Sequence, residues 1–306
     1  MSLNKPIYKL RDWIANFISI DKYNWKQLSY NPNAIDLLKN NLDKINWSNL
    51  SLNSNAIELL EKNLDKIDWN KLSQNPNALP ILEKNPDKIN WKLLSLNPNA
   101  YHLLMNNQNK IMWYYLSFNP NAIELLENNY DKINWYLLST NPNAFKIIEK
   151  NLDKINWNLF SANPCSIPLL IENEDKINWT NLSKNPNGIE LLRKNKNKID
   201  WDELSYNPNA LSLLIENYDK IDWFYISCNT NPEINEILSK NKNKVSYDYL
   251  FENPAIFELD YEKMKENNQE MYEDLIKEVM KPSRIFKRIE KSNKEGYDYL
   301  EELFGY

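Results

Sequence analysis

Apolar positions along the chain recur in a block of 22 residues. Ten tryptophans fall at 25, 47, 69, 91, 113, 135, 157, 179, 201 and 223, nine consecutive intervals of 22 without a slip. Self-similarity at such a fixed period is the signature of a tandem array. In the best-formed block, Asn119 to Ser139, the residues Ala122, Ile123, Leu125 and Leu126 recur at i, i+1, i+3 and i+4. This is one face of a helix. Ile133, Trp135 and Leu138 follow, and the next block begins at Asn141-Pro142. After Trp223 a two-residue insertion at Asn229-Thr230 shifts the phase, so that Tyr247 takes the tryptophan place and the positions number eleven.

The polar residues between these stripes predict where helices start and stop. Asn119 reads as an N-cap whose side-chain oxygen takes an orphan N–H, with Pro120 at the first helical position, where its missing N–H and fixed φ cost nothing. Its counterparts at 31, 53, 75, 97, 141, 163, 185, 207, 231 and 253 are all Asn. Ser, Thr or Asp would cap equally well, so this exclusive use suggests a second task, such as the NH₂ donating to the next unit. Recent duplication and codon bias are the alternative. Asn129 and its counterparts, again all Asn, read as left-handed caps ending this helix. A bend through Asp131-Lys132-Ile133 leads to a second helix from Trp135 to about Ser139. Its cap positions read Asn24, Asn46, Asp68, Asn90, Met112, Asn134, Asn156, Asn178, Asp200, Asp222 and Ser246.

One helical pair cannot cover Ala, Ile, Leu, Leu, Ile, Trp and Leu by itself, so neighbouring pairs must stack. The expected fold is an all-α solenoid of about eleven 22-residue, two-helix repeats spanning residues 21–253. At the usual separation of packed helices, an open array of this kind would extend roughly 90–110 Å. Residues 1–20, with Leu10, Trp13, Ile14 and Phe17 at helical spacing, are expected to cap the first unit, and 254–306 to cap the last.

Composition narrows the function. The chain has 306 residues but only 3 Gly, beside 52 Asn, 33 Lys and 4 Arg. So few glycines argue against phosphate cradles and dinucleotide fingerprints, which need backbone without Cβ. A net charge of −5 does not favour nucleic acid as a partner. Cys165 and Cys228 are too few for a disulfide framework and lack metal-ligand spacing, which suggests a reducing, intracellular setting. No segment approaches the roughly 20 apolar residues of a membrane span. No catalytic set emerges either. His102 stands where other units carry Asp36, Glu58, Pro80, Glu124 or Lys146, a surface place, and the carboxylates are spread with the repeat. A non-enzymatic protein without cofactor or metal is the expectation.

With these motifs in hand, the chain resembles a family of repeat proteins encoded by giant nucleocytoplasmic DNA viruses, whose units read Asn-Pro-Asn-Ala-Ile-x-Leu-Leu…Asp-Lys-Ile-Asn-Trp-x-x-Leu-Ser. The resemblance covers the opening Leu10-Arg11-Asp12-Trp13-Ile14, the array from Asp21 to about Asn253, and the tail segments Glu258-Leu259-Asp260-Tyr261 and Pro282-Ser283-Arg284-Ile285. Family members often carry His-Pro where this chain has Lys281-Pro282, a departure confined to the tail. The resemblance implies a viral helical-repeat protein, acting in the host cytoplasm or the virion, and no particular biochemical activity.

Three recurrent features could carry binding. The tryptophans could form a ladder of ligand platforms, but their recurrence beside Ile and Leu favours a core role, with Asn and Ser side chains as candidate acceptors for the indole N–H groups. Lysine recurs before the apolar residue of the bend, at 22, 44, 66, 88, 110, 132, 154, 176, 198, 220 and 244. Unopposed, such a row would bind polyanions. In eight of the eleven units Asp precedes it, so a charge-paired edge is the expectation. The third feature is variation. Positions one, two and five after the tryptophan are polar in Asn70, Lys71 and Gln74 or in Asp202 and Glu203, but become Leu93, Leu96, Tyr114, Tyr115, Phe118, Tyr136 and Leu137 in the middle units. Adjacent apolar and aromatic residues at non-core positions usually mark a contact site, with local core thickening or an ordinary inter-helix contact as the alternative. The basic tail residues Lys281, Arg284, Lys287, Arg288, Lys291 and Lys294 read as the solvated face of a capping helix. The expectation is a scaffold or adaptor that binds a protein partner through the middle units, with a structural virion component or a polyanion binder as the other readings.

Overall fold

The computed structural model describes residues 6–268, which fall into two units: residues 9–258, and the two terminal segments 6–8 and 259–268. The tail features around Pro282 and the basic cluster therefore lie outside the described residues. In the terminal unit, the Asp260 N–H donates to the Ile7 carbonyl at 2.9 Å, and the Asp260 carboxylate accepts from the Lys263 N–H at 3.1 Å, opening a helical turn.

Residues 9–258 contain 22 short α-helices, eleven that begin at the tryptophan position and eleven that carry an apolar stripe. The first kind, here the Trp helix, is represented by Trp135–Leu138, and the second, the Leu-Leu helix, by Ile123–Glu127. In most units a 3-10 turn such as Tyr130–Lys132 makes the bend between them. Trp helices of successive units lie against one another. The fold is thus the expected all-α solenoid. In the best-formed unit the core comprises the Ala, both Leu and the bend Ile together with the Trp-helix Leu, Ala122, Leu125, Leu126, Ile133 and Leu138, and most units follow it closely. Trp135 and Ile123, expected to be buried with them, are only half-buried.

The caps differ from the sequence expectation in an instructive way. The Leu-Leu helix starts at Ile123, four residues after Asn119, and has no side-chain cap. Asn119 instead folds an Asx turn in which its Oδ1 accepts from the Asn121 N–H at 3.0 Å. The Asn-Pro-Asn segment is therefore a turn and not a first helical turn, because the Asn oxygen is already satisfied two residues on. Asn129 is not left-handed either: φ is −136°, and its side-chain NH₂ reaches back to the Leu125 carbonyl at 3.0 Å. That bond satisfies a C-terminal orphan carbonyl without the strain of positive φ. The Trp-helix caps are as expected in nine units, where the Asn or Asp side chain accepts from the backbone two or three residues ahead; Met112 and Ser246 make no such bond.

Two asparagine ladders join the units. The NH₂ of Asn141 donates to the carbonyls of Ser117 and Asn119 in the preceding unit at 3.1 and 2.9 Å, and the NH₂ of Asn143 donates to the Pro120 carbonyl at 2.9 Å. The recurrent Asn does have a second task, directed at the preceding unit. In the tenth unit the ladder residue is Asn229 and not Asn231, since Asn229 bonds to Ser205 and Asn207 while Asn231 takes the outer-ladder bond to Pro208. The extra residues accordingly follow Asn231, where the next helix starts at Ile234. A third link uses serine: Ser117 Oγ donates to the Trp113 carbonyl and accepts from the Asn134 N–H of the next unit.

The inner ladder has no free end. Asn31, in the first unit, donates to the Phe251 and Asn253 carbonyls of the last, both at 3.0 Å, and Asn33 donates to the Pro254 carbonyl at 3.1 Å. These are the bonds that every other unit makes to its predecessor, so the eleven units close into a ring. The extended 90–110 Å array does not form. Closure also explains the N-terminal segment. Asp12–Ala15 forms the Leu-Leu helix between the turn Pro254–Ile256 and the bend Ile20–Lys22, so the closing unit is assembled from both ends of the chain. Arg11 N–H donates to the Ile256 carbonyl at 3.0 Å, its guanidinium reaches Glu258 at 3.1 Å, Trp13 donates to Asn235 and Ile14 is fully buried. Residues 11–18 complete the last unit and do not cap the first. Beside them, Lys9–Leu10 and Phe257–Glu258 belong to the paired strands Tyr8–Leu10 and Phe257–Leu259.

Candidate functional site

From the eighth unit through the seam to the second, the residue five after the tryptophan, joined in places by those one and two after it, faces the inside of the ring. Glu203 and Tyr225 at the second position, Phe224 at the first, and Tyr30, Leu52 and Lys184 at the fifth line one cavity of about 750 Å³. Units far apart along the chain, such as those of Leu52 and Lys184, meet there because the array is closed. The cavity occupies the arc from the eighth unit through the closing seam to the second.

The expected contact residues occupy these same repeat positions in the middle units. None is wholly buried: Tyr114, Phe118 and Tyr136 are 49, 43 and 53% exposed, and Leu93, Leu96, Tyr115 and Leu137 are half-buried. Tyr114 and Tyr115 stand edge to face with centroids 5.1 Å apart, and the Lys92 ammonium lies 5.1 Å from the Tyr115 centroid.

A second aromatic group, which the repeat pattern does not single out, lies at the seam. Tyr30, Tyr206, Phe224 and Tyr249, between 42 and 47% exposed, line the seam cavity with Tyr225. Phe224 meets Tyr249 at 4.9 Å and 70° and Tyr225 at 5.3 Å and 81°, so the three rings form a corner. In an open array Tyr30 and Tyr249 stand at opposite ends, and only closure gathers them. Lys184 and Glu203 pair at 2.9 Å on the same wall. Burial first, and then the neighbouring charges of Asp222, Asp200 and Glu203, push the Asp202 carboxyl upward.

The tryptophan and lysine series resolve each other. Lysine ammoniums of one unit stack on the indole of the preceding unit, as in Lys66 on Trp47 at 4.6 Å, Lys110 on Trp91 at 4.3 Å and Lys198 on Trp179 at 4.3 Å. Others, such as Lys44 and Lys176, pair with the preceding Asp43 and Asp175 at 3.4 and 3.0 Å. Where the residue before the lysine is Asn, at 109, 197 and 243, the indole is the partner in each case. The Asn and Ser side chains expected to accept from the indoles are instead committed to backbone groups.

Cys165 and Cys228 are free thiols, and burial pushes each up to about 11, which leaves them protonated at neutral pH. Cys165 stands in the outer-ladder place and makes no link to the preceding unit there, whereas Cys228 lines the seam cavity. His102 is exposed beside Tyr101. Among the described residues no group of three or more His, Cys, Asp or Glu could hold a metal ion, and no helix is long and apolar enough to cross a membrane. No family model, curated protein or solved structure matches the chain.

Proposed function

We propose that the protein is a non-enzymatic scaffold that holds a protein partner against the aromatic interior of its ring. The observation that carries this reading is the exposure of large aromatics at interior repeat positions in a ring whose other recurrent groups are engaged. The asparagines and serines join units, ten of the eleven row lysines pair with Asp or lie over Trp, and the interior Tyr, Phe and Leu keep part of their surface exposed. Exposed aromatics clustered on a concave wall are the usual hot-spot types of protein interfaces. With most of its lysine row so engaged, the ring offers less to a polyanion than an unopposed row would. The resemblance to giant-virus repeat proteins makes a viral or host protein the partner sought.

The test compares proteins captured from infected-cell lysate by the wild-type chain and by Tyr115→Ala combined with Phe118→Ala. A partner bound by the first and lost by the second supports the reading. Identical capture sinks the middle units as the contact site.

A further inference from the structure

We infer that the seam cavity is a receptor for a cationic side chain, carried by a basic, apolar polypeptide segment that lies along the ring interior. The inference rests on the interior being the contact surface and specifies the partner's chemistry at one arc of it. Phe224 stands edge to face with Tyr249 and with Tyr225, at 70° and 81°, and Tyr206 adds a further ring to the same cavity; Tyr206, Phe224 and Tyr249 are each more than 40% exposed. Exposed aromatic rings attract an ammonium or guanidinium through their quadrupoles, most strongly where water is thinned out.

The rest of the ring shows what its aromatics do when a cation is within reach. Six of the bend lysines lie over tryptophans at 4.3 to 4.9 Å, and in the middle arc Lys92 lies over the interior Tyr115. Among the described residues no lysine or arginine lies over Tyr206, Phe224, Tyr225 or Tyr249. Lys184, the cation on the cavity wall, is held by Glu203. Glu252 lines the same cavity, and no described cation pairs with it. The arc therefore has a surplus carboxylate beside exposed aromatic rings that no described cation covers, complementary to one positive charge. At about 750 Å³ across six units the cavity far exceeds a single ammonium. The wall also carries the apolar Leu52 beside its rings and carboxylate, which suits a chain that alternates basic and apolar residues.

The experiment is titration calorimetry on the full chain with the peptide acetyl-Leu-Lys-Leu-Lys-Leu-amide, the same peptide with glutamate for both lysines, and tetramethylammonium chloride. The lysine peptide should bind and the glutamate peptide should not. Glu252→Gln and Phe224→Ala should each weaken the lysine peptide at least about fivefold, while Glu149→Gln, which removes an exposed carboxylate elsewhere, should leave it unchanged. Phe224 is 42% exposed, so its truncation leaves the fold intact, which circular dichroism verifies. Equal binding of the two peptides, no binding at millimolar concentration, or equal weakening by Glu149→Gln overturns the inference. Tetramethylammonium binding as tightly as the peptide overturns the assignment to a polypeptide. A partner that depends on Tyr115 and Phe118 but not on Phe224 or Glu252 would overturn the seam receptor and leave the scaffold reading standing.

Discussion

The regular arc of the ring and its closing seam use the same inner ladder but different fillings. Within the arc, each serine hydroxyl bridges its own Trp helix to the next unit, and an isoleucine fills the bend, as in Ser117 and Ile133. At the seam the serine place is Phe251 and the isoleucine place is Tyr23, and the two rings meet at 5.2 Å. One hydrogen-bonded link is exchanged for an aromatic contact, while the asparagine bonds from Asn31 keep their geometry. The seam is therefore a full interface and not a loose abutment of two ends. What distinguishes it is covalent: elsewhere the two helices of a unit are joined by a short turn, and here one comes from each end of the chain. An interface completed by a detached segment must supply by packing what a loop supplies by proximity, and the fully buried Ile14 and Phe251 are consistent with that demand.

The largest effect should come from removing the N-terminal helix. Deletion of residues 1–16 takes away Ile14, the Arg11 bonds and the Trp13 bond together, at a cost of more than about 4 kcal/mol by the usual worth of a buried aliphatic side chain and two or three hydrogen bonds. Thermal unfolding should fall sharply and lose cooperativity, because an opened ring can fray from its first and last units. A deletion variant with unchanged unfolding would show that the seam contributes nothing.

Next in size is the ladder itself. Asn141→Ala removes two donated bonds and one accepted bond in a buried place, a loss of about 3 kcal/mol. Asn31→Ala should cost the same. In an open array Asn31 would have no preceding unit to donate to, and its substitution would be nearly silent. Denaturant unfolding of the two variants thus decides between ring and open solenoid, and a cost at Asn141 alone would break the closed reading.

Much of this was legible in the sequence, and closure was not. The 22-residue period, the half-turn stripes and the Trp-helix caps follow from local pattern, because propensity and capping act over a few residues. The roles of the asparagines were half legible: their recurrence signalled a second task, but whether an Asn-Pro-Asn segment forms a first helical turn or an Asx turn depends on bonds to another unit. Closure requires each unit to rotate about 33° relative to the last so that eleven complete a circle, and that angle resides in packing between units, not in any one of them. A signal was nonetheless present. Tyr23 and Phe251 depart from the repeat at complementary places in the first and last units, and the array begins with a lone stripe helix and ends with a lone Trp-type helix. The contact residues of the middle arc were readable as departures from polar types. The seam group was not, because Tyr30 and Tyr249 become neighbours only in the ring.

A smaller effect tests the aromatic exchange at the seam. Phe251→Ser alone should cost about 3 kcal/mol, the lower end for emptying a buried phenylalanine site. Combining it with Tyr23→Ile, which restores the pair found in the regular arc, should recover at least about 1 kcal/mol of that loss through coupling between contacting residues. Strict additivity in a double-mutant cycle would mean that the two rings are independent and that the seam is not a substituted copy of the other interfaces.

The smallest effect compares the two regions through their thiols. Cys165 in the arc and Cys228 in the seam are both pushed by burial to about 11. At pH 9 a free thiol near its ordinary value is about half ionised, whereas one at 11 is about one part in a hundred thiolate, so alkylation of either by iodoacetamide should run about fifty times slower than that of an unfolded chain. Because both thiols are held neutral in the fold while the unfolded chain ionises first, stability should decline slightly as pH rises from 9 towards 11 and stay indifferent to them below that window. The two cysteines separate once the cavity is filled. Cys228 lines it and Cys165 does not, so the lysine peptide should slow alkylation of Cys228 alone, read by mass spectrometry of the two tryptic peptides. Equal slowing at both sites would indicate a global tightening of the ring and would count against a peptide seated at the seam.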